Sequence, residues 1–226
     1  MKYLRFLAVS LAIVSAACSK SEQTGGTPSG SPAESEAVAA DPSTYLDGGE
    51  LVFEDDFSRD ALGDNWTAEG SAWRIEDGAV RVQGARNDAL WLGYTLPDRV
   101  RVEFDVTALH PDGDLKFEIF GDGRTHQSGY VLIYGGWQNR VTCIARLDEH
   151  GNDRLDAPEH NHVNQGQPYH FTAVRVDNKL HWFIDGSLVL TYDDAAPLAG
   201  DGHRHMAFND WDVPVSFDNL RIYELD

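Results

Sequence analysis

The chain is poor in the features that would assign it quickly. Only two of its 226 residues are cysteine, Cys18 and Cys143. If Cys18 serves another purpose, Cys143 is left without a partner, so no intrachain disulfide staples the fold. Cys143 lies in the strand-like run Val141-Thr142-Cys143-Ile144-Ala145, which reads as a small buried core residue rather than a nucleophile. Basic residues are also scarce, 18 Lys and Arg against 37 Asp and Glu, for a formal charge of −19. That balance excludes nucleic acid and other polyanions as partners, since phosphate binding needs clustered Lys and Arg. It equally excludes attachment to anionic lipid by charge; an acidic surface keeps such a domain soluble. The leading hydrophobic run, Phe6 to Val14, is too short to cross a bilayer. After Asp47 no stretch of ten or more residues has helical apolar spacing.

What is present begins at the N-terminus. Lys2 and Arg5 stand at the start of the apolar run, and Ser15-Ala16-Ala17-Cys18 follows it. A charged start, a short hydrophobic run and small residues make the layout of a secretory signal. Its end on a cysteine resembles the lipobox of bacterial lipoproteins. That resemblance implies a signal over residues 1–18, with Cys18 lipidated as the mature N-terminus; the alternative is an ordinary signal cut near Ala17. Residues 19–47, rich in Ser, Gly, Pro and Glu, bury too little apolar surface to fold. As a flexible coil their ends would stand about 30 Å apart. The expected location is therefore outside the cytoplasm, on a bacterial outer or cytoplasmic membrane, with contact to lipid through the anchor only. Without Lys2 and Arg5 the mature charge is near −21.

Residues 48–226 form a comfortable size for one core. Short alternating runs recur, separated by Gly, Asp, Asn and Pro. Arg99 to Val106 alternates strictly, with Val100, Val102, Phe104 and Val106 inward. Asp77-Gly78 and Asp185-Gly186 mark tight hairpins, the latter a type I′ pair. About thirteen short strands without helices predict an all-β fold, two antiparallel sheets in a jelly-roll sandwich. Phe53-Glu54-Asp55-Asp56-Phe57, Asn65-Trp66, Trp73 to Gly78, Leu180 to Gly186 and Val215 to Ile222 together resemble the concanavalin A-like lectin/glucanase superfamily. Within it they are most similar to the 3-keto-disaccharide hydrolase-like domains. The resemblance implies a twisted jelly roll with sugars bound on a concave sheet.

Retaining glucanases of that superfamily carry Glu-x-Asp-x-x-Glu on one strand, two carboxylates at nucleophile and acid/base separation. The motif is missing; Glu118 in Lys116-Phe117-Glu118 stands alone in a comparable place. Histidines offer another route. His160-Asn161-His162 and His203-Arg204-His205 are His-x-His pairs, and residues i and i+2 of a strand share a face about 7 Å apart. Alternation puts His181 opposite Leu180, Trp182 and Ile184, and His203, His205 and Asn209 opposite Met206 and Phe208. On a shared sheet, His181, His203 and His205 would converge beside Asp210 and Trp211, as bases or as ligands of a divalent metal. Aromatics suited to stacking on sugar rings are Trp137, Trp211, Tyr130 and Tyr134, with Glu118, Asn209 and Asp210 as polar partners.

Cofactors stay open: a His-bound divalent metal, or a structural Ca²⁺ held near the chain ends by Asp56 and Asp218. The leading expectation is a lipid-anchored carbohydrate-binding domain. The rival is an enzyme that cleaves 3-keto-glycosides. There a His base takes the C2 proton, and Arg146 or a metal stabilises the enolate. A cell-envelope interaction module without a sugar site is the third reading.

Overall fold

A computed structural model describes residues 40–159 and 162–226. The leader, Cys18, most of the tether, His160 and Asn161 lie outside the described residues. Among the described residues fifteen strands follow one another. They are β1 (Glu50–Asp55), β2 (Trp66–Thr67), β3 (Arg74–Glu76), β4 (Ala79–Val82), β5 (Leu90–Leu92), β6 (Val100–Ala108), β7 (Leu115–Gly121), β8 (Tyr130–Gly135), β9 (Val141–Arg146), β10 (Leu155–Asp156), β11 (Pro168–Val176), β12 (Lys179–Ile184), β13 (Ser187–Asp193), β14 (His205–Asn209) and β15 (Val215–Glu224).

They form two antiparallel sheets, the expected jelly-roll sandwich. The first has the order β13-β12-β11-β6-β15-β4-β3, with β1 also paired to β15; the second has the order β10-β9-β8-β7-β14-β5-β2. The hairpins fall where the turn residues demanded them. Asp185 and Gly186 both adopt positive φ between β12 and β13, as do Asp77 and Gly78 between β3 and β4.

Alternation decides what lies between the sheets. Val102, Phe104 and Val106 of β6 meet Leu115, Phe117 and Ile119 of β7, with Phe171, Trp182, Phe208 and Phe217 completing one apolar cluster. Phe104 contacts Phe117 edge-on at 5.0 Å, and Phe208 stacks on Phe217 at 4.3 Å. Such pairs add stabilisation beyond their buried area.

The outer face of the first sheet is plugged. Residues 42–46, assigned above to the tether, form a 3₁₀ turn started by Asp41, whose side chain accepts from Ser43 N–H. Tyr45 and Leu46 pack on Val174, Val176 and Phe183, and Arg101 donates to the Tyr45 and Gly48 carbonyls at 3.0 and 2.8 Å. The folded unit accordingly begins at Ala40, not Gly48. A composition rich in Ser, Pro and Asp hid one aromatic anchor, Tyr45.

Asp55 ties the end of β1 to β2. Burial lifts its carboxyl, but bonds from Arg59 (2.8 Å), Trp66 Nε1 (2.8 Å) and Phe57 N–H (3.0 Å) outweigh this and hold it below the ordinary range. With the folded pKa below the unfolded value of about 3.9, this contribution is fully present above that value. It is lost as pH falls through the lower folded one. Calorimetry across a pH series should show the wild type losing stability below about pH 4. Asp55→Asn should be less stable at neutral pH and lose less on acidification. Equal acid responses would show that Asp55 has no such role.

Candidate functional site

The outer face of the second sheet is built differently. On β7, Lys116 and Glu118 alternate with Leu115, Phe117 and Ile119 and so point away from the core. Both are nevertheless buried, 3% and 0% exposed, because two loops fold over them. The loop after β7 brings His126 Nδ1 to 2.7 Å from Glu118 Oε1 and donates Gln127 N–H to Oε2 at 2.9 Å. Asn209 at the end of β14 donates to the same carboxylate at 2.5 Å. The loop after β9 supplies Glu149, whose Oε2 lies 3.1 Å from Lys116 Nζ and 3.9 Å from His126 Nε2. Lys116 also donates to Asn87 Oδ1 at 3.0 Å. A buried charge needs such pairing, since the unpaired ion would cost several kcal/mol.

Above this network opens a cleft of about 780 Å³, within the range of ligand sites. Trp137 and Trp211 line it, with Asp112, Asp114, Lys116 and Glu149 among the polar groups. Trp211 is 53% exposed. Trp137 is half-buried, its ring edge-on to His150 at 5.5 Å with the Arg154 guanidinium 5.0 Å from its centroid. Burial raises the Asp114 carboxyl above its ordinary value; Glu149's charge adds to this, while Lys116 and Trp211 N–H oppose it.

Trp137 is presented by a strained turn. Trp137, Gln138 and Asn139 have φ of 51°, 62° and 60°, a left-handed helical turn closed by Arg140 N–H donating to the Gly136 carbonyl at 2.9 Å. Each such residue costs roughly 1–2 kcal/mol, so the surroundings must impose the shape. Asn139 does so. Its Nδ2 donates to the Val163 and Pro111 carbonyls at 2.7 and 3.0 Å, and its Oδ1 accepts Val163 N–H at 2.9 Å. Gly135, at φ 73°, leaves no room for a Cβ, which would meet Asn139 Oδ1 at 2.8 Å and Val163 Cγ2 at 2.6 Å.

The sequence-derived residues divide sharply. Trp137 and Trp211 both line the cleft. Glu118 and Asn209 lie beneath it, sealed from ligand and holding His126. Asp210 is also sealed. It accepts Ala85 N–H at 3.0 Å and Val213 N–H at 3.1 Å, and burial raises its carboxyl to about 6.

The expected convergence of histidines is not found. His181 belongs to the first sheet, stacked on Tyr45 with Nδ1 2.8 Å from Thr191 Oγ1. His205 belongs to the second. His203 and His205 each place Nδ1 near a backbone carbonyl, of Phe120 at 3.2 Å and Leu92 at 3.1 Å. Arg146 is not at the cleft either. It donates to Asp194 at 2.8 Å, as does Tyr130 OH at 2.6 Å, and together they pin the Asp194–Leu198 segment. Tyr134 packs between the sheets against Tyr169 and Trp182.

Asp56 is exposed and accepts from Ser58 N–H, whereas Asp218 faces Asp105 across β15 and β6. Among the described residues no three His, Cys, Asp or Glu side chains are grouped to hold a metal ion. The sequence reading missed Asp114, His126, Asn139 and Glu149. Only the charged pair Lys116 and Glu118 in an otherwise apolar strand signalled them.

No family model matches the chain, and no curated protein matches it. Solved structures do. The carbohydrate-binding module CBM66 of Bacillus subtilis aligns with TM-score 0.60 and 13% identity over 73% of this chain and 98% of its own. A non-specific endo-β-1,3(4)-glucanase of family GH16 aligns with TM-score 0.56 and 12% identity over 77% and 91%. Domain 4 of an extracellular arabinanase from Geobacillus stearothermophilus, solved with arabinotriose, aligns with TM-score 0.55 and 16% identity over 79% and 94%. At these identities the likeness shows the fold alone, a two-sheet jelly-roll sandwich.

Replacing Asn139 by Ala strands Val163 N–H and frees the turn. The expected cost is about 2–4 kcal/mol of stability, given roughly 1–3 for a buried group left unsatisfied plus the other bonds lost. Denaturant titration measures it. Stability within about 0.5 kcal/mol of wild type, the range of an ordinary surface substitution, would show that Asn139 does not hold the turn.

Proposed function

We propose that this domain binds carbohydrate in the cleft on the outer face of its second sheet. The observation that carries the reading is the presence of two indoles, Trp137 and Trp211, in the lining of one cleft together with amides and carboxylates. Sugar rings present flat C–H faces that pack on exposed aromatics, and neighbouring amides and carboxylates take their hydroxyls. Support of a coarser kind comes from the structural neighbours, which include a carbohydrate-binding module and a domain solved with an arabinose trimer. His181 and Arg146 lie away from this cleft, so a base for 3-keto-glycoside cleavage there would have to come from other residues.

A glycan array followed by calorimetry on the purified protein tests the reading. Trp137→Ala and Trp211→Ala are each expected to weaken the best ligand about tenfold, the equivalent of roughly 1.4 kcal/mol of stacking. Unchanged affinity in both variants would move the site elsewhere.

We further propose that the chain is exported and lipid-anchored through Cys18. The charged start, the apolar run and the small residues before Cys18 support it. In a bacterial host, labelling with a palmitate analogue should mark the protein in membranes. Cys18→Ala should leave it unlabelled, and label surviving in that variant would rule the anchor out.

A further inference from the structure

We infer that the cleft selects glycans bearing free amino groups, such as glucosamine units, over neutral and anionic ones; this rests on the carbohydrate reading above. The first observation is the sign of the charge. Asp112, Asp114, Glu149 and Asp212 line the cleft, against one ammonium, Lys116. That ammonium is committed to Glu149 and Asn87 and is only 3% exposed. Neighbouring arginines are engaged as well. Arg140 donates to Trp137 O and Gln138 Oε1, and Arg154 is paired with Asp156. A carboxylate, sulfate or phosphate on a sugar would find Lys116, Arg140 and Arg154 already engaged and Arg86 beside Asp212, and would meet a net excess of carboxylates.

The second observation is at the floor. Glu149 is 7% exposed and lines the cleft, and its sealed Oε2 lies 3.1 Å from Lys116 Nζ and 3.9 Å from His126 Nε2 without an aligned hydrogen bond. Lys116 is neutralised by this carboxylate, so Asp112 and Asp114 meet a cationic ligand with no free ammonium opposing them, through charge-assisted hydrogen bonds. Two indole faces suit the same cation. A sugar fits better than a peptide or polyamine because the amides of Gln83, Asn87, Gln127 and Gln138 are spread along the cleft, matched to hydroxyls rather than to an alkyl chain.

Calorimetry in low-salt buffer near neutral pH would compare the β-1,4-linked glucosamine tetramer with cellotetraose, which differs only at C2. The N-acetylated tetramer, tetragalacturonate and spermine complete the set. The glucosamine tetramer is expected to bind about tenfold tighter than cellotetraose. The advantage should shrink in about 1 M salt, where the Debye length is near 3 Å. Asp114→Asn and the less buried Asp112→Asn, each checked for folding by its melting curve, should both narrow that ratio. Cellotetraose or the N-acetylated tetramer binding as tightly as the amino form would overturn the inference while leaving the carbohydrate site standing. Tighter binding of tetragalacturonate would do the same. Spermine binding as tightly as the tetramer would overturn it by making the amine alone the ligand. Absence of binding to any sugar, here and on the array, would instead overturn the carbohydrate reading itself.

Discussion

The burial of Lys116 and Glu118 on β7 is the constraint from which the cleft follows. A charged side chain at 0% exposure persists only when its partners are in place. Glu118 draws His126, the Gln127 amide and Asn209 onto itself, and Lys116 draws Asn87 and Glu149. Those partners come from three loops and one strand end that are remote in sequence. Satisfying two ions on one strand therefore fixes where the loops lie, and the loops are the walls of the cleft. An apolar β7 would leave the sandwich core unchanged and the outer face without this organisation.

The two outer faces follow from the same sandwich by opposite means. On the first sheet a short turn carrying Tyr45 covers Val174, Val176 and Phe183. On the second, Val131, Ile133, Cys143 and Ala145 are covered by the strained Trp137 turn and its neighbours. A plug of apolar contact closes one face; a scaffold of paired charges holds the other open. The open face keeps Trp137 in place at a backbone cost of roughly 1–2 kcal/mol per left-handed residue. Fixing the indole before a ligand arrives lowers the ordering cost of binding.

Much of the fold was legible because strands report their own faces. The alternation in Val100 to Val106 named the inward residues, and Asp185-Gly186 named its turn. Alternation does not say to which sheet a strand belongs. His181 and His205 were each assigned to the outward side of their strands, and each is outward, but of different sheets, so they do not converge. Tyr130 and Arg146 escaped for a related reason. Their partner, Asp194, is remote in sequence and brought close only by the edge strand β13. The placement of Trp137 and Trp211 at the cleft follows from local chain features, a glycine-rich turn and a strand end. Glu149 and Asn139 act through contacts with segments distant in the chain, and no local pattern marks them.

The distribution of titratable groups bears on what the cleft can do. A base that removes a proton has to approach its substrate, so it must keep an accessible lone pair. Glu118 has none, since both oxygens are taken and the side chain is sealed. Asp210 is occupied by backbone amides in the same way. Glu118 and Asp210 are thus spent on holding loops. Asp112 and Asp212 face solvent beside His110 and Arg86, whereas Asp114 and Glu149 lie deeper in the same cleft. The cleft thus meets solvent with two indoles, several amides and the carboxylates of Asp112, Asp114, Glu149 and Asp212, above a sealed layer that holds its walls.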